Sequence, residues 1–531
     1  MLMDTNFINA KVYTMETEDS ICEAFSVYDG KLIACGTTEE ILKNPAKKII
    51  DVQGKAVLPG FIDTHQHTYY YSKSLRDVDL RTVTSWAEAK AKLSERAAIT
   101  PKGDWIKGIS FNNEKWDVPN LPTKEDLDGI SLEHPILIDR YCLHVHVVNS
   151  EALRLSNIVK GFVPSTEGTI GFDGCGEPNG IIWDSAIATV LQTIPDPVIT
   201  QEGKKDAVEI ALREMNRYGI TGAHPIQGKL CDAEESLGIY QALNKEGRLT
   251  VRVYVSFDEY PCFGMRTGFG DEKVRYGFFK IYSDGGLGSR SAAFFEPYSD
   301  RPEMLGVLNY SQEEIDEMCQ KAHDMGLQIG IHAIGDRGMH IALNAIEKVY
   351  LANPVTDPRF RVIHASIVNE ELISRMKKLP IILDIQPGHV STNLIWAEER
   401  VGPERAKYAW VFRRMIDEGM MLTASSDLPV EHLNPFLGIY ALVNRKNTAG
   451  FPEDGWYPEQ RCTVFEAISM YTKNAAFSSF EENIKGSISV GKLSDFIVLD
   501  QDPFEIDANA LKDVVVEKTY LSGEEVFSNN H

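Results

Sequence analysis

The sequence has no long apolar run and no secretion signal. No stretch approaches the roughly 18 uninterrupted apolar residues that a membrane-spanning helix needs. The opening MLMDTNFINAKVYTMETED lacks the basic start and apolar run that are typical of a secreted precursor. We therefore expect a cytoplasmic protein without a membrane partner.

Paired cysteines are also missing. The eight cysteines are scattered and include no CxxC pair, whereas disulfide frameworks and thiolate zinc sites are recognised by closely spaced cysteines. The sequence thus indicates neither, and we expect all eight thiols to be reduced and structural. They are Cys22, Cys35, Cys142, Cys175, Cys231, Cys262, Cys319 and Cys462.

Basic residues are fewer than acidic residues. The chain carries 77 Asp+Glu against 54 Lys+Arg, a net charge of −23, and a field of that sign repels nucleic acid and anionic membranes. No low-complexity tract, solenoid repeat or glycine-rich phosphate loop is present. These absences favour a small-molecule substrate over a nucleic acid partner.

What remains is the composition of a globular protein with a large domain and a second, smaller one. The 531 residues are 43% hydrophobic and 25% charged. Short strand-like segments with Gly-containing turns such as DG and QG occupy residues 1–58 and recur in 481–531. We expect the two ends of the chain to pair into one small β-sandwich domain.

The middle, residues 59–480, alternates strand-like runs with amphipathic helical patterns such as SQEEIDEMCQKAHDM. The runs lie at 58–67, 218–224, 250–257, 276–285, 326–335, 360–366, 380–388 and 419–427. Eight β/α units predict an α/β fold of the closed (β/α)8 barrel type. A plain barrel needs about 250 residues, and the excess lies after the first strand. We therefore expect an inserted lid or substrate-binding subdomain at about 75–210.

The first run ends in FIDTHQH, which places His65 and His67 two residues apart. Side chains at i and i+2 of a strand project from the same face, so both imidazoles aim at one place. Two converging imidazoles suggest a metal, although HxH also occurs by chance in long chains. The other ligands should then lie at other strand ends, because barrel enzymes place their chemistry there.

Residues of types that can bind a metal or pair with its ligands also end four of the later strand-like runs. Each has a structural alternative, since a strand-end histidine is often a satisfied polar residue and an aspartate can cap a helix. Together, histidine and carboxylate groups from five strands favour zinc or another divalent transition metal with an open position for water. The residues of the later runs are Lys280, Asp284, His332, His364 and Asp427.

Several motifs resemble the amidohydrolase superfamily, and specifically its branch of large cytosolic hydrolases that includes N-substituted formamide deformylase. They are FIDTHQH, KIYSDGGLGSRSA, IHAIGD, RVIHAS, SSDLPV and the tail MYTKNAAFSS…KGSISVGKLSDFIVLDQDP. The motifs follow the family's order, and the resemblance runs from about residue 5 to 525. It implies a metal-dependent hydrolase that binds one or two divalent ions, with Zn²⁺ expected.

The resemblance also implies the ligand set. His65 and His67 match the ligands of the more buried metal, and His332 and His364 match those of the second. Asp427 matches the aspartate that follows the eighth strand.

Lys280 matches a lysine that many relatives carboxylate with CO2 and use to bridge two metals. An unmodified lysine is a cation with a pKa near 10.4 and repels a metal, whereas its carbamate offers two anionic oxygens. The alternative is an ammonium group paired with Asp284 or another carboxylate.

These placements predict hydrolysis by activated water. A metal lowers the pKa of bound water from about 15.7 towards about 7. Asp427 is expected to act as general base and then to pass the proton to the departing amine. Asp336 in HAIGD either orients a ligand from behind or starts the following helix.

Aromatic and basic residues are candidates for substrate contact. Tyr69, Tyr70 and Tyr71, with Trp116 in FNNEKW, suggest either an aromatic pocket wall or core packing. Arg290 in GLGSRSA either holds an anionic group of the substrate or pairs with an acidic residue.

The segment LHVHVVNSEAL resembles the family's insertion segment, which implies roles for His144 and Asn149. His144 could bind the substrate or polarise its carbonyl. Leu143, Asp184 and Pro225 stand where glycine, glutamate and aspartate are usual in the family. These departures argue against assuming a formamide substrate.

The predicted function is hydrolysis of a non-peptide C–N bond, an amide or formamide, in a small molecule. The same water activation serves an ester, carbamate or cyclic amide, and the sequence does not separate these. A catalytically inactive ligand-binding barrel should lack some ligands, whereas this set is complete. Phosphoesterase chemistry lacks the Arg and Lys cluster of a phosphate pocket. Barrels of this kind often dimerise, so a homodimer is an expectation.

Overall fold

The structure is a computed structural model. It describes residues 2–75, 77–113, 116–140, 145–164, 168–195, 200–227, 233–261, 264–352, 354 and 356–529. The chain divides into two compact units, one formed by Met1–Tyr71 with Val208–His531 and the other by Ser72–Ala207. Over the described ranges, no helix is both long and apolar enough to cross a membrane.

The elements are given in chain order. The first segment contains β1 (Met3–Ile8), β2 (Lys11–Tyr13), β3 (Ile21–Cys22), β4 (Ala24–Tyr28), β5 (Lys31–Gly36), α1 (Thr38–Ile41), β6 (Ala46–Asp51), β7 (Ala56–Pro59), β8 (Phe61–Gln66) and α2 (Thr68–Ser74). Then follow β9 (Val78–Asp79), α3 (Trp86–Ile99), β10 (Ile106–Phe111), α4 (Lys124–Asp128), β11 (Ile136–Arg140), β12 (Val145–Val148), α5 (Ser150–Leu155), β13 (Thr169–Phe172), β14 (Pro178–Trp183), α6 (Ala188–Leu191) and α7 (Gln201–Arg217).

The remaining elements return to the first unit. They are β15 (Ile220–Gln227), α8 (Ala233–Lys245), β16 (Arg252–Phe257), β17 (Val274–Tyr282), α9 (Gln312–Asp324), β18 (Ile329–Ala333), α10 (Asp336–Ala352), β19 (Phe360–His364), α11 (Glu370–Met376), β20 (Ile381–Ile385), α12 (Gly388–Ala406), α13 (Phe412–Asp417), β21 (Met421–Ala424), α14 (Pro435–Asn444), α15 (Val464–Tyr471), α16 (Lys473–Ser478), β22 (Phe496–Leu499), β23 (Val516–Leu521) and β24 (Glu524–Ser528). Short 3-10 helices lie at Asp184–Ile187, Pro458–Gln460 and Ala508–Asp513.

Both ends of the chain contribute to a pair of sheets. One sheet has the order β5-β4-β1-β6, and the other the order β24-β23-β22-β7-β2-β3. Their shared core is aromatic: the rings of Phe7 and Phe25 lie 5.0 Å apart, those of Phe7 and Phe496 4.9 Å, and those of Phe496 and Tyr520 4.5 Å. Strands from residues 3–59 and 496–528 therefore bury one another's apolar faces in a sandwich.

The expectation of eight reduced thiols is wrong for two of them. Cys22 in β3 and Cys35 in β5 form a disulfide, with Cα atoms 6.5 Å apart. The two strands belong to different sheets, so the pairing depends on how the sheets pack and has no local signature. Cys175, Cys319 and Cys462 are free. Cys142, Cys231 and Cys262 lie outside the described residues.

The middle of the first unit is a near-closed barrel of eight parallel strands in the order β8-β15-β16-β17-β18-β19-β20-β21, which confirms the predicted (β/α)8 fold. The end strands β8 and β21 meet at a closing seam. There the backbone N–H of Asp427 donates to the carbonyl of His65, and that of His67 to the carbonyl of Leu428, both at 2.8 Å. The seam therefore joins the segments that carry three of the predicted ligands.

The sandwich contacts the amino-terminal ends of the barrel strands. Arg252, the first residue of β16, makes a buried ion pair with Asp495, with Nε and Oδ2 2.7 Å apart. The N–H of Gly60, just before β8, donates to the carbonyl of Asp495 at 3.0 Å. The carboxyl ends of the strands, at the opposite end of the barrel, carry the polar residues.

The second unit has its own core. Its sheet has the order β13-β14-β12-β11-β10-β9, with an apolar cluster on each face. This unit is bounded by Ser72 and Ala207, whereas the sequence predicts an insertion at about 75–210.

Candidate metal centre

Strand β8 is buried along its whole length and carries His65 near its end. The Nε2 atoms of His65 and His67 lie 3.2 Å and 3.4 Å from the same atom, Oδ1 of Asp427. Asp427 follows β21 and has a left-handed backbone, with φ of 53°, a conformation that side chains other than glycine adopt at an energetic cost. One potential ligand atom from each of these three residues lies within 4.8 Å of the others.

The spacing of these atoms fits one transition-metal ion. Bonds of about 2.0–2.1 Å in a tetrahedral site place neighbouring ligand atoms about 3.3 Å apart. The two nitrogen-to-oxygen distances of 3.2 Å and 3.4 Å lie on either side of that value. Two imidazoles and one carboxylate are also a ligand set that zinc and related divalent ions accept.

The protonation of this group favours metal binding. Burial lowers the pKa of His65 well below its ordinary value, and the charge of Lys280 lowers it further. Burial by itself would raise the pKa of the Asp427 carboxyl, but its interaction with His65 and the hydrogen bonds from His65 and His67 keep that pKa well below its usual range. A neutral imidazole and an ionised carboxylate are the forms that ligate a metal.

His332 and His364 form a second pair beside this group. Their ring centroids are 4.5 Å apart, and the ring of His364 is 5.3 Å from that of His65. The Nε2 atom of His332 lies 3.3 Å from the carbonyl oxygen of Gly285 and 3.4 Å from Oδ1 of Asp284. Four predicted histidine ligands from three strands therefore lie together at one rim of the barrel.

Lys280 is buried in β17, and its Nζ has no hydrogen-bond partner in the part of the chain that the structure describes. Burial lowers its pKa to about 7, although the nearby charge of Asp427 acts in the opposite direction. Asp284, the alternative ion-pair partner, accepts backbone N–H groups from Ala293, Ile334 and Gly335 at 2.8–3.1 Å. Asp284 thus ties together the loops that follow β17 and β18.

Two supporting side chains were not among the predicted site residues. Asp63 accepts hydrogen bonds from the Ser426 hydroxyl at 2.5 Å and from the Ser426 N–H at 3.1 Å, which links β8 to the loop bearing Asp427. Gln386 accepts a hydrogen bond from Nδ1 of His364 at 2.5 Å. Asp63 lies within the motif FIDTHQH, in the middle of β8, and Gln386 lies one residue beyond β20, so the positions of both were usable signals.

Other predicted residues of the first unit have partners of their own. Arg290 makes an ion pair with Asp300, with Nη2 and Oδ2 2.5 Å apart, which is the pairing alternative that the sequence left open. Asp336 begins α10 and accepts the N–H of Phe295 at 3.0 Å. Tyr69 is buried in α2, the helix that follows His67.

Two candidates lie in the second unit. Trp116 is buried in its core, 5.5 Å from the ring of Phe111 and 6.1 Å from that of Trp86. Asn149 caps α5. His144 and Leu143 lie outside the described residues.

A (β/α)8 barrel with this His–His–Asp group at the carboxyl ends of its strands has the architecture of a metal-dependent hydrolase. The solved structures agree. An uncharacterized metal-dependent hydrolase from Pyrococcus horikoshii OT3 superposes with a TM-score of 0.77 at 28% identity, over 95% of this chain and 99% of that chain.

The family model described as "Amidohydrolase family" matches residues 48–527, and the chain therefore belongs to the amidohydrolase family. The protein named amidohydrolase YtcJ of Bacillus subtilis (strain 168) is 32% identical over 97% of this chain and 98% of its own length. N-substituted formamide deformylase of Arthrobacter pascens is 28% identical over 98% of each.

Proposed function

We propose that this chain hydrolyses a non-peptide carbon–nitrogen bond, an amide or formamide, in a small molecule. The observation that carries the proposal is the contact of one Asp427 carboxylate oxygen with Nε2 of both His65 and His67. Similarity to an enzyme named N-substituted formamide deformylase supports the choice of a C–N bond. The negative charge of the chain favours a small substrate that is not itself strongly anionic.

His65, His67 and Asp427 would hold a divalent metal, with Zn²⁺ the proposed ion. His332 and His364 would hold a second one. A bound metal of this type supplies a more acidic water molecule and polarises the carbonyl of the substrate.

Lys280 would complete the two-metal site as a carbamate. Its pKa of about 7 leaves much of the amine neutral at physiological pH, and only the neutral amine attacks CO2. In that reaction the nitrogen lone pair forms an N–C bond, the electron pair of one C=O π bond of CO2 moves to its oxygen to give a carboxylate, and the nitrogen loses one proton to water. The product is an anion in place of a cation beside the other ligands.

Asp427 would transfer a proton from the attacking water to the leaving group. An aspartate carboxyl is ionised at neutral pH, so it can accept the proton of the attacking water. It would then deliver that proton to the nitrogen of the breaking C–N bond, because an unprotonated amine is a poor leaving group.

The proposal is tested on zinc-loaded protein with N-formyl, N-acyl, cyclic amide and ester substrates, together with metal analysis. We expect Asp427→Asn to keep most of its metal and to lose turnover by about 10²-fold or more. His65→Ala should lose the metal itself. His323→Ala and Asp316→Asn, both on the outer helix α9, are the matched controls and should behave as wild type.

Full turnover by Asp427→Asn would remove this residue from the reaction. Turnover of esters alone would refute the C–N assignment and leave a metal-dependent hydrolase. A wild-type protein that binds no metal and hydrolyses none of the substrates would overturn the whole proposal.

A further inference from the structure

We propose that Gln386 is a positioning residue that turns Nε2 of His364 towards the metal centre. This inference rests on the proposed function, because it treats His364 as a metal ligand. Gln386 lies one residue beyond the end of β20 and is buried, as is His364 at the end of the neighbouring strand β19. Its Oε1 is 2.5 Å from Nδ1 of His364.

The orientation of the Gln386 amide follows from its other contacts. Its nitrogen lies 3.1 Å from the carbonyl oxygen of Asp384 and 2.9 Å from the hydroxyl of Ser425. Ser425 uses its single hydroxyl hydrogen to donate to the carbonyl of Ile385 at 3.0 Å, so its lone pairs are available to the amide. Two acceptors therefore face the NH2 group of Gln386, and its oxygen is left to face His364.

That orientation determines the tautomer of the histidine. An amide oxygen carries no hydrogen, so Nδ1 of His364 must be the donor in the 2.5 Å contact. In a neutral imidazole with its proton on Nδ1, the free lone pair lies on Nε2. Nε2 is then the atom that can bind a metal.

Strand geometry does not provide this orientation. The backbone of His364 has φ of 77° and that of Ala365 φ of 45°, so the chain leaves the extended conformation at His364 and the alternation of strand side chains no longer directs its ring. Hydrogen bonding to the second nitrogen of a metal-binding histidine commonly changes metal affinity by 10- to 100-fold. Gln386 would fulfil that role here.

The test compares four variants for metal per chain, measured by elemental mass spectrometry, and for zinc dissociation constant, measured by chelator competition. Gln386→Met keeps the length of the side chain and removes the acceptor, and we expect it to weaken zinc binding by 10- to 100-fold. Gln386→Glu restores an oxygen acceptor and should weaken binding by less than about tenfold. Ser425→Ala removes one anchor of the amide and should have a smaller effect than Gln386→Met.

Gln328→Met is the matched control. Gln328 precedes β18 at the amino-terminal end of the barrel, accepts from the Tyr254 hydroxyl at 2.9 Å and donates to two carbonyls, so it is also a buried, fully bonded glutamine. Its substitution should lower thermal stability and leave zinc affinity unchanged.

Equal zinc affinity of Gln386→Met and wild type would overturn the inference, as would equal weakening by Met and Glu, which would indicate a packing role. If Gln386→Met does not fold, Ser425→Ala serves as the test. A zinc affinity of Ser425→Ala equal to that of wild type would then also overturn the inference. Absence of metal from the wild-type protein would instead contradict the proposed function.

Discussion

At the scale of single residues, Lys280 illustrates how burial sets chemistry. An amine in water carries a charge up to a pKa near 10.5, whereas the buried Nζ of Lys280 has a pKa of about 7 because the protein interior disfavours the charged form. Under the proposal that Lys280 forms a carbamate, the same burial would supply the neutral amine that CO2 requires.

The energetic cost of charging buried Lys280 predicts a pH dependence of stability for the metal-free protein kept free of CO2. Between pH about 7 and 10.5 the unfolded chain holds the Lys280 proton and the folded chain does not, so the unfolding free energy should rise with pH across that window. The contribution is at most about 1.4 kcal/mol per pH unit. Urea unfolding of wild type and Lys280→Met at pH 7, 8 and 9 measures it as the difference between the two slopes.

Lys377→Met, which removes an exposed lysine paired with Glu418, is the control and should have the slope of wild type. Identical slopes for wild type and Lys280→Met would show that Lys280 titrates normally in the folded protein.

The sequence was sufficient to predict that the candidate ligands lie together, but not which side chains hydrogen-bond to them. His65, His67 and Asp427 stand at predicted strand ends, and the structure brings their potential ligand atoms within 4.8 Å. Gln386 also stands at a strand end, but its contact with His364 crosses 22 residues of sequence. No spacing rule connects a glutamine to the imidazole of the neighbouring strand.

At the scale of secondary-structure elements, Asn149 has a structural role, because this residue of the family-like segment caps α5. The Asn149 side chain accepts the N–H groups of Ile136 and Ala152 at 2.9 Å and 3.0 Å, and donates to the carbonyls of Ser131 and His134 at 3.0 Å and 2.9 Å. It is fully buried. One amide therefore joins the start of β11, the start of α5 and the turn between α4 and β11.

Asn149→Ala should destabilise the second unit by about 2–4 kcal/mol, because it leaves several buried backbone groups without partners. The matched control is Asn369→Ala, which removes a cap with a single bond to the N–H of Leu372 and should cost about 1 kcal/mol. Urea unfolding, with hydrogen exchange of peptides from β11 and α5 to assign the transition, measures both. Equal losses in the two variants would contradict the view that Asn149 joins three elements.

At the scale of the whole chain, the barrel seam and the candidate metal centre coincide. The backbone hydrogen bonds that join β8 to the segment after β21 use His65, His67, Asp427 and Leu428. An ion held by His65, His67 and Asp427 would therefore bridge the two sides of the seam. A metal that binds only the folded state raises the free energy of unfolding by about 4 kcal/mol when its free concentration is 1,000 times its dissociation constant.

Chelation should therefore open the seam before the rest of the barrel. We expect the backbone amides of His67 and Asp427 to exchange with deuterium at least tenfold faster after removal of the metal, and to recover after reloading. Peptides that cover residues 61–71 and 421–432 report on the seam, and peptides from β16 serve as the control. Equal acceleration in β16 would indicate global loosening, and no acceleration at the seam would separate metal binding from barrel closure.

The repeating strand and helix patterns were sufficient to predict eight β/α units, and the strand-end positions of His65, His67 and Asp427 were sufficient to predict that they lie close together, because these depend on residue type and short spacing along the chain. The disulfide between Cys22 and Cys35, the core position of Trp116, the ion pair of Arg290 with Asp300 and the contact between Gln386 and His364 were decided only by tertiary structure. The ion pair depends on how the single loop between β17 and α9 folds, and the others depend on which sheet, core or strand meets another. Such contacts form between surfaces that folding brings together, so no local pattern records them.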